Sequence, residues 1–196
     1  MKKILLIIVV FIVSANAGAQ DFNKHLATAR SSYSSGKLED ARFAMQQMIQ
    51  EIDMMTGKDV LKMLPSSLEA LAANTGNDDV SGASGFAGVV IHRDYGAGAK
   101  TAAIDIIGNS PLIAGVNAIL SLPFAAAGGG QKVIKLDGYK ALLQKNTDSE
   151  TNKVSYELQV PLNSSLLTLK TDGYAEEEFK KLAAAIPVGQ LAKTLQ

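Results

Sequence analysis

Two periodicities divide the chain. Between Asp21 and Thr56 the apolar positions recur in steps of three and four: Phe22, Leu26, Ala29 and Tyr33, then Leu38, Ala41, Met45, Met48, Ile52 and Met55. That spacing keeps one side of a helix apolar. The short Ser34-Ser35-Gly36 break predicts two antiparallel neighbours, an αα-hairpin. Gly57 follows as a residue suited to a helix C-cap. From Phe86 onward the period changes to two. Phe86 to Tyr95 is rich in β-formers, and Lys100 to Ile107 sets Ala102, Ile104 and Ile106 against Thr101, Ala103 and Asp105. Val154, Tyr156, Leu158 and Val160 alternate with Lys153, Ser155, Glu157 and Gln159. Each such run predicts a strand with one buried and one wet face.

Turn and cap residues complete the order. Gly96 to Ala99 joins the first two strands, and Ser110-Pro111 opens a helix whose buried face is Leu112, Ile113, Val116, Ile119 and Leu120. Asp137-Gly138 joins strands at 132–136 and 139–144, and Asn163 to Ser165 returns the next strand through Leu166 to Lys170. A closing helix runs from Tyr174 to Ile186 and is stopped by Pro187. Lys58 to Leu64 and Ser66 to Ala73 predict short helical pieces, and Asn74 to Gly85 a loop of turn formers. The expected fold class is α+β: an N-terminal αα-hairpin, then an antiparallel sheet in ββαββββα order covered by helices on one face. The expected divisions are 1–19, 20–64, 65–85 as a connector, and 86–196.

Two resemblances rest on particular residues. Ala29, Tyr33, Gly36 and Ala41 fall where a tetratricopeptide unit places small and aromatic residues, so the hairpin resembles a single such unit, with no second copy downstream. Ser110-Pro111, the Val133 to Ala141 hairpin and the glutamate-led closing helix resemble the Mog1/PsbP-like group across roughly Phe86 to Ile186. That resemblance implies the fold and, through small exported bacterial members without assigned function, no particular role.

The N-terminus carries an address. Lys2 and Lys3 precede an apolar run from Ile4 to Val13 and the small residues Ala15 to Ala19, the pattern of an export signal cut after Ala19 or Ala17. The run is about half of the roughly 20 residues a membrane span needs. The expected location is the periplasm or the medium, with no membrane span after cleavage. Without Lys2 and Lys3, the 19 basic side chains become 17 against 19 acidic ones, a net charge of −2 with neutral histidines. No cluster of Lys and Arg is present to displace phosphate counterions, so nucleic acid is not an expected partner. The chain has no cysteine, which removes thiolate chemistry and disulfides. No residue pattern implies a cofactor.

Candidate chemistry is sparse. The second helix of the hairpin carries more apolar surface than its partner can cover, and Met45, Met48, Ile49, Ile52 and Met55 are the candidate surface for a protein or an apolar ligand. A homodimer through the hairpin is the structural alternative. Met45, Met48, Met54, Met55 and Met63 also offer soft thioethers to copper, against ordinary core filling. The enzymatic alternative, a hydrolase-like site, centres on His92 with Asp94 and Tyr95. Ser84 lacks the second glycine of a nucleophile elbow, because Phe86 stands there. Gly96 to Thr101 lacks the glycine before Lys100 that a phosphate loop needs, and it feeds a strand. Asn77, Asp78 and Asp79 miss the alternation of a calcium loop. Glu176, Glu177 and Glu178 fan around a helix and complement its dipole. The leading expectation is an exported, non-enzymatic binding module.

Overall fold

The structure is a computed structural model that describes residues 17–82, 88–122 and 130–195. Most of the expected leader, Ser84 and the expected connection at Pro123 lie outside the described residues. The chain forms two compact units, one ending at Ile52 and one beginning at Asp53.

The first unit is a helical hairpin of α1 (Ala17–Ser34) and the start of α2 (Leu38–Met63). The break between them is a Schellman turn. The Lys37 N–H donates to the Ser32 carbonyl at 2.9 Å and the Gly36 N–H to that of Tyr33 at 3.1 Å. Gly36 takes a φ of +70°, which glycine adopts without a Cβ penalty. Among the described residues, the buried apolar ones of this unit are Ala29, Ala41 and Ala44.

Helix α2 does not stop near Thr56. It continues through Gly57 to Met63. Gly57 is not a cap but a point of close approach: a Cβ there would lie 2.7 Å from both Val80 Cγ1 and Val89 Cγ2. Its missing side chain lets the end of α2 lie against two strands of the second unit.

The expected helix at 66–73 is instead a tight antiparallel pair, β1 (Ser67–Leu68) and β2 (Leu71–Ala72). Leu68 is fully buried, so packing overrides local preference here. The expected loop that follows contains a 3₁₀ turn (Thr75–Asn77) and β3 (Asp79–Gly82). The connector thus belongs to the second unit, where β3 pairs antiparallel with β4 (Val89–Ala97).

The remaining strands are β5 (Lys100–Gly108), β6 (Gln131–Leu136), β7 (Tyr139–Thr147), β8 (Val154–Leu162) and β9 (Ser165–Asp172). They form one antiparallel sheet in the order β3-β4-β5-β9-β8-β7-β6. The α+β arrangement with an N-terminal hairpin is therefore present. Asp137 and Gly138 take φ values of +48° and +84° at the β6–β7 turn, as a two-residue hairpin loop requires.

One sheet face holds the core. Ile91, Ile104, Ile106, Leu158, Val160, Leu167 and Leu169 are fully buried there. Over them lie α4 (Glu176–Ala184), α5 (Val188–Thr194) and the end of α2 through Val60. Phe179 of α4 stacks on Tyr156 at 5.4 Å between ring centroids. Helix α5 follows Pro187, where the sequence pattern predicts the end of the last helix. Its Gly189 N–H donates to Asp137 Oδ2 at 2.6 Å, so the β6–β7 turn also caps α5.

Helix α3 (Ile113–Ser121) begins after a Ser110-Pro111-Leu112 turn rather than at Pro111. It builds a small second cluster on the other face, with Val116 and Leu120 against Leu142 and Leu166. Much of that other face, from β3 to β8, carries polar side chains.

Candidate functional site

Two surfaces answer the expectations, one in each unit. In the hairpin, α2 presents Leu38, Met45, Ile49 and Ile52 at exposures of 63, 48, 59 and 51%. Steps of seven, four and three keep these four on one side of the helix. They form a ridge beside the buried Ala41 and Ala44. Tyr33 of α1 and Phe43 of α2 are also exposed, so Tyr33 does not join the buried stripe read for α1. Met48 is half-buried. Met55 is exposed and lies in the second unit. Met54 and Met63 pack against the sheet core, and Thr194 Oγ1 donates to Met63 Sδ at 3.4 Å. Both therefore serve as core filling.

In the sheet unit, alternation along β4 separates the expected trio. His92 and Asp94 point to the polar face, and Tyr95 points into the core. Tyr95 is fully buried and its hydroxyl donates to the Pro65 carbonyl at 3.0 Å. Burial pushes its pKa up to about 12. A phenol held this way is a structural donor, so the His92, Asp94 and Tyr95 grouping is corrected to exclude it.

The partners of His92 come from register. Asp105 of β5 stands directly opposite it, and so does Asp79 of β3. His92 Nδ1 lies 2.7 Å from Asp105 Oδ1, and Nε2 lies 3.2 Å from Asp94 Oδ1. Lys170 Nζ of β9 lies 3.6 Å from Asp105 Oδ2. The hydrogen bond with Asp105, seconded by the one with Asp94, raises the His92 pKa above its ordinary value against the opposing effect of partial burial. Beside this group Asp94, Thr101, Ala103, Lys170 and Asp172 line a shallow depression of about 240 Å³. Small-molecule sites usually enclose at least roughly 300 Å³ and are largely apolar.

Below β4 on the core side, Arg93 is 7% exposed. Its Nε and Nη2 donate to the two carboxylate oxygens of Asp78 at 2.8 and 2.6 Å, and Nη1 donates to the Leu64 carbonyl at 3.0 Å. Asp78 thus serves an ion pair, and the neighbouring Asp79 serves a strand.

The three glutamates of α4 are each paired. Glu176 meets Lys132 and Lys180, Glu177 meets Lys180, and Glu178 meets Lys100. Glu178 also accepts the Ala175 N–H at 3.1 Å, closing the first turn. Hydrogen bonds from Lys132 and then Lys180 hold the Glu176 carboxyl below the usual carboxylate range. Among the described residues, no group of three or more His, Cys, Asp or Glu is placed to hold a metal ion. Among the same residues, no helix is long and apolar enough to cross a membrane.

No family model matches the chain, and no curated protein does. No functional residue therefore comes to this chain from a relative.

Proposed function

We propose that this chain is an exported, non-enzymatic binding module that engages a partner protein through the apolar ridge of its helical hairpin. The observation that carries this reading is the inversion of sizes in the hairpin: alanines are buried, while Leu38, Met45, Ile49 and Ile52 stand exposed. Fully covering a large aliphatic side chain contributes roughly 1.5 to 3 kcal/mol, so a partner that covers four gains substantial affinity. The leader-like first residues support export. His92 supports a non-catalytic reading, because both ring nitrogens are engaged by carboxylates.

The test is site-specific photo-crosslinking in the native host from positions 45, 49 and 52, with the exposed Lys193 of the other unit as the control. One common species captured at the three ridge positions, absent at the control and lost in Ile49→Glu at unchanged thermal stability, supports the reading. A species of twice the chain's mass identifies a second copy as the partner. Monomeric mass together with no ridge-specific crosslink overturns it.

A further inference from the structure

We propose that His92 is a pH-sensitive clasp on the β3–β4–β5 edge of the sheet, closed when the imidazole carries two protons and loosened when it carries one. The argument begins with donor counting. A neutral imidazole has one N–H and one lone pair, and an imidazolium has two N–H donors. His92 has a carboxylate oxygen 2.7 Å from Nδ1 and another 3.2 Å from Nε2. Only the imidazolium satisfies both. The neutral ring turns a lone pair toward one carboxylate, which converts an attraction into a repulsion.

The surrounding charges amplify the change. Facing His92 are Asp79 from β3, Asp94 from β4 and Asp105 from β5. The cationic counterpart is Lys170 of β9, itself opposite Glu157 of β8. Asn77 Nδ2 donates to Asp94 Oδ2 at 3.4 Å, and Ser81 Oγ donates to Asp79 Oδ2 at 2.8 Å. Arg93 lies on the core side of β4, committed to Asp78. Deprotonation therefore removes the cation held between the Asp94 and Asp105 carboxylates and leaves Lys170 as the ammonium beside them. Of the three strands at this edge, β3 has least to hold it, being four residues long and, among the described residues, paired with β4 alone. Its Asp79 is the register partner of His92, so β3 borders the residue that loses the proton.

The direction follows from linkage. In the opened edge His92 titrates near the ordinary value of about 6.5, and in the closed edge it titrates higher. The clasp is fully effective below about 6.5 and is lost as pH rises through the closed-state value. Between the two values, opening becomes more favourable by up to about tenfold per pH unit.

The experiment is an NMR titration of the purified protein, following the His92 ring and the hydrogen-exchange protection of the Asp79–Gly82 amides, corrected for intrinsic exchange. The expected result is a His92 titration above about 6.5, with protection falling across the same interval. His92→Gln should flatten the protection profile, and Asp105→Asn should lower the titration of His92. A ring that titrates at or below 6.5, or the same protection profile in wild type and His92→Gln, overturns the proposal.

Discussion

The hairpin unit and the sheet unit bury different things. In the sheet unit the fully covered residues include Tyr95, Phe179, Ile104 and Leu158, whereas in the hairpin the covered ones are Ala29, Ala41 and Ala44. Six of the nine large apolar residues found exposed among the described residues belong to the hairpin: Tyr33, Leu38, Phe43, Met45, Ile49 and Ile52. Because apolar burial is the dominant favourable term in folding, the sheet unit holds most of the molecule's stability and the hairpin most of its uncommitted apolar surface. The same residue type thus has opposite value in the two regions. A leucine at 158 is structural, and an isoleucine at 49 is available.

The contrast predicts a large effect at Phe179. It is fully buried and stacked on Tyr156, so Phe179→Ala should cost about 3 to 5 kcal/mol in equilibrium denaturation. An effect under about 1 kcal/mol would show that α4 is not a fixed part of the core. Next comes the buried ion pair. Asp78→Ala removes the only carboxylate bonded to the Arg93 guanidinium among the described residues, in a site 9% exposed, and should cost about 3 kcal/mol. Replacing both partners by apolar residues should recover part of that loss, because the penalty arises from the charge left unpaired.

Two glycines sharpen the comparison inside the sheet unit. Gly115 in α3 has nothing within 4 Å of a built Cβ, whereas at Gly57 in α2 the same atom meets Val80 and Val89 at 2.7 Å. In a helix, alanine is favoured over glycine by about 1 kcal/mol. Gly115→Ala should therefore stabilise by about that amount. At Gly57 overpacking costs roughly 1 to 3 kcal/mol against the same gain, so Gly57→Ala should be net destabilising by about 1 kcal/mol. Thermal unfolding of the two variants should move in opposite directions.

Much of this architecture is legible along the chain, and the gaps have physical causes. Strong alternation marks β5 and β8, and Gly36 and Asp137-Gly138 mark turns that need positive φ. What escaped depends on contacts far apart in sequence. Gly57 reads as a helix end until Val80 and Val89 are known to lie against it. Strand β3 is four residues within a run of Asn, Asp, Ser and Gly, and only its pairing with β4 makes it a strand. Helix α5 is short and gains its N-terminal hydrogen bond from Asp137, 52 residues earlier. The polar site shows the same limit. Alternation already places Asp105 on the wet face of β5, but the register that sets it opposite His92 appears only once the strands are paired. The hairpin ridge was legible in part: helical spacing and size single out Met45, Met48, Ile49, Ile52 and Met55, of which Met48 is half-buried and Met55 lies in the second unit.

That ridge also gives the smallest expected change in stability and the most informative one. Ile49→Ser with Ile52→Ser removes two large side chains that are 59 and 51% exposed, so each should alter unfolding free energy by no more than about 0.5 kcal/mol. If the ridge serves a foreign partner, the double variant keeps its stability and loses the crosslinked species. If it serves a second copy, wild-type stability rises with protein concentration and the variant's does not, because association stabilises only the species that associates. A concentration-independent loss of 2 kcal/mol or more fits neither case. It would mean that these isoleucines are already covered within the folded chain, and the contrast between the two units would fail at the hairpin.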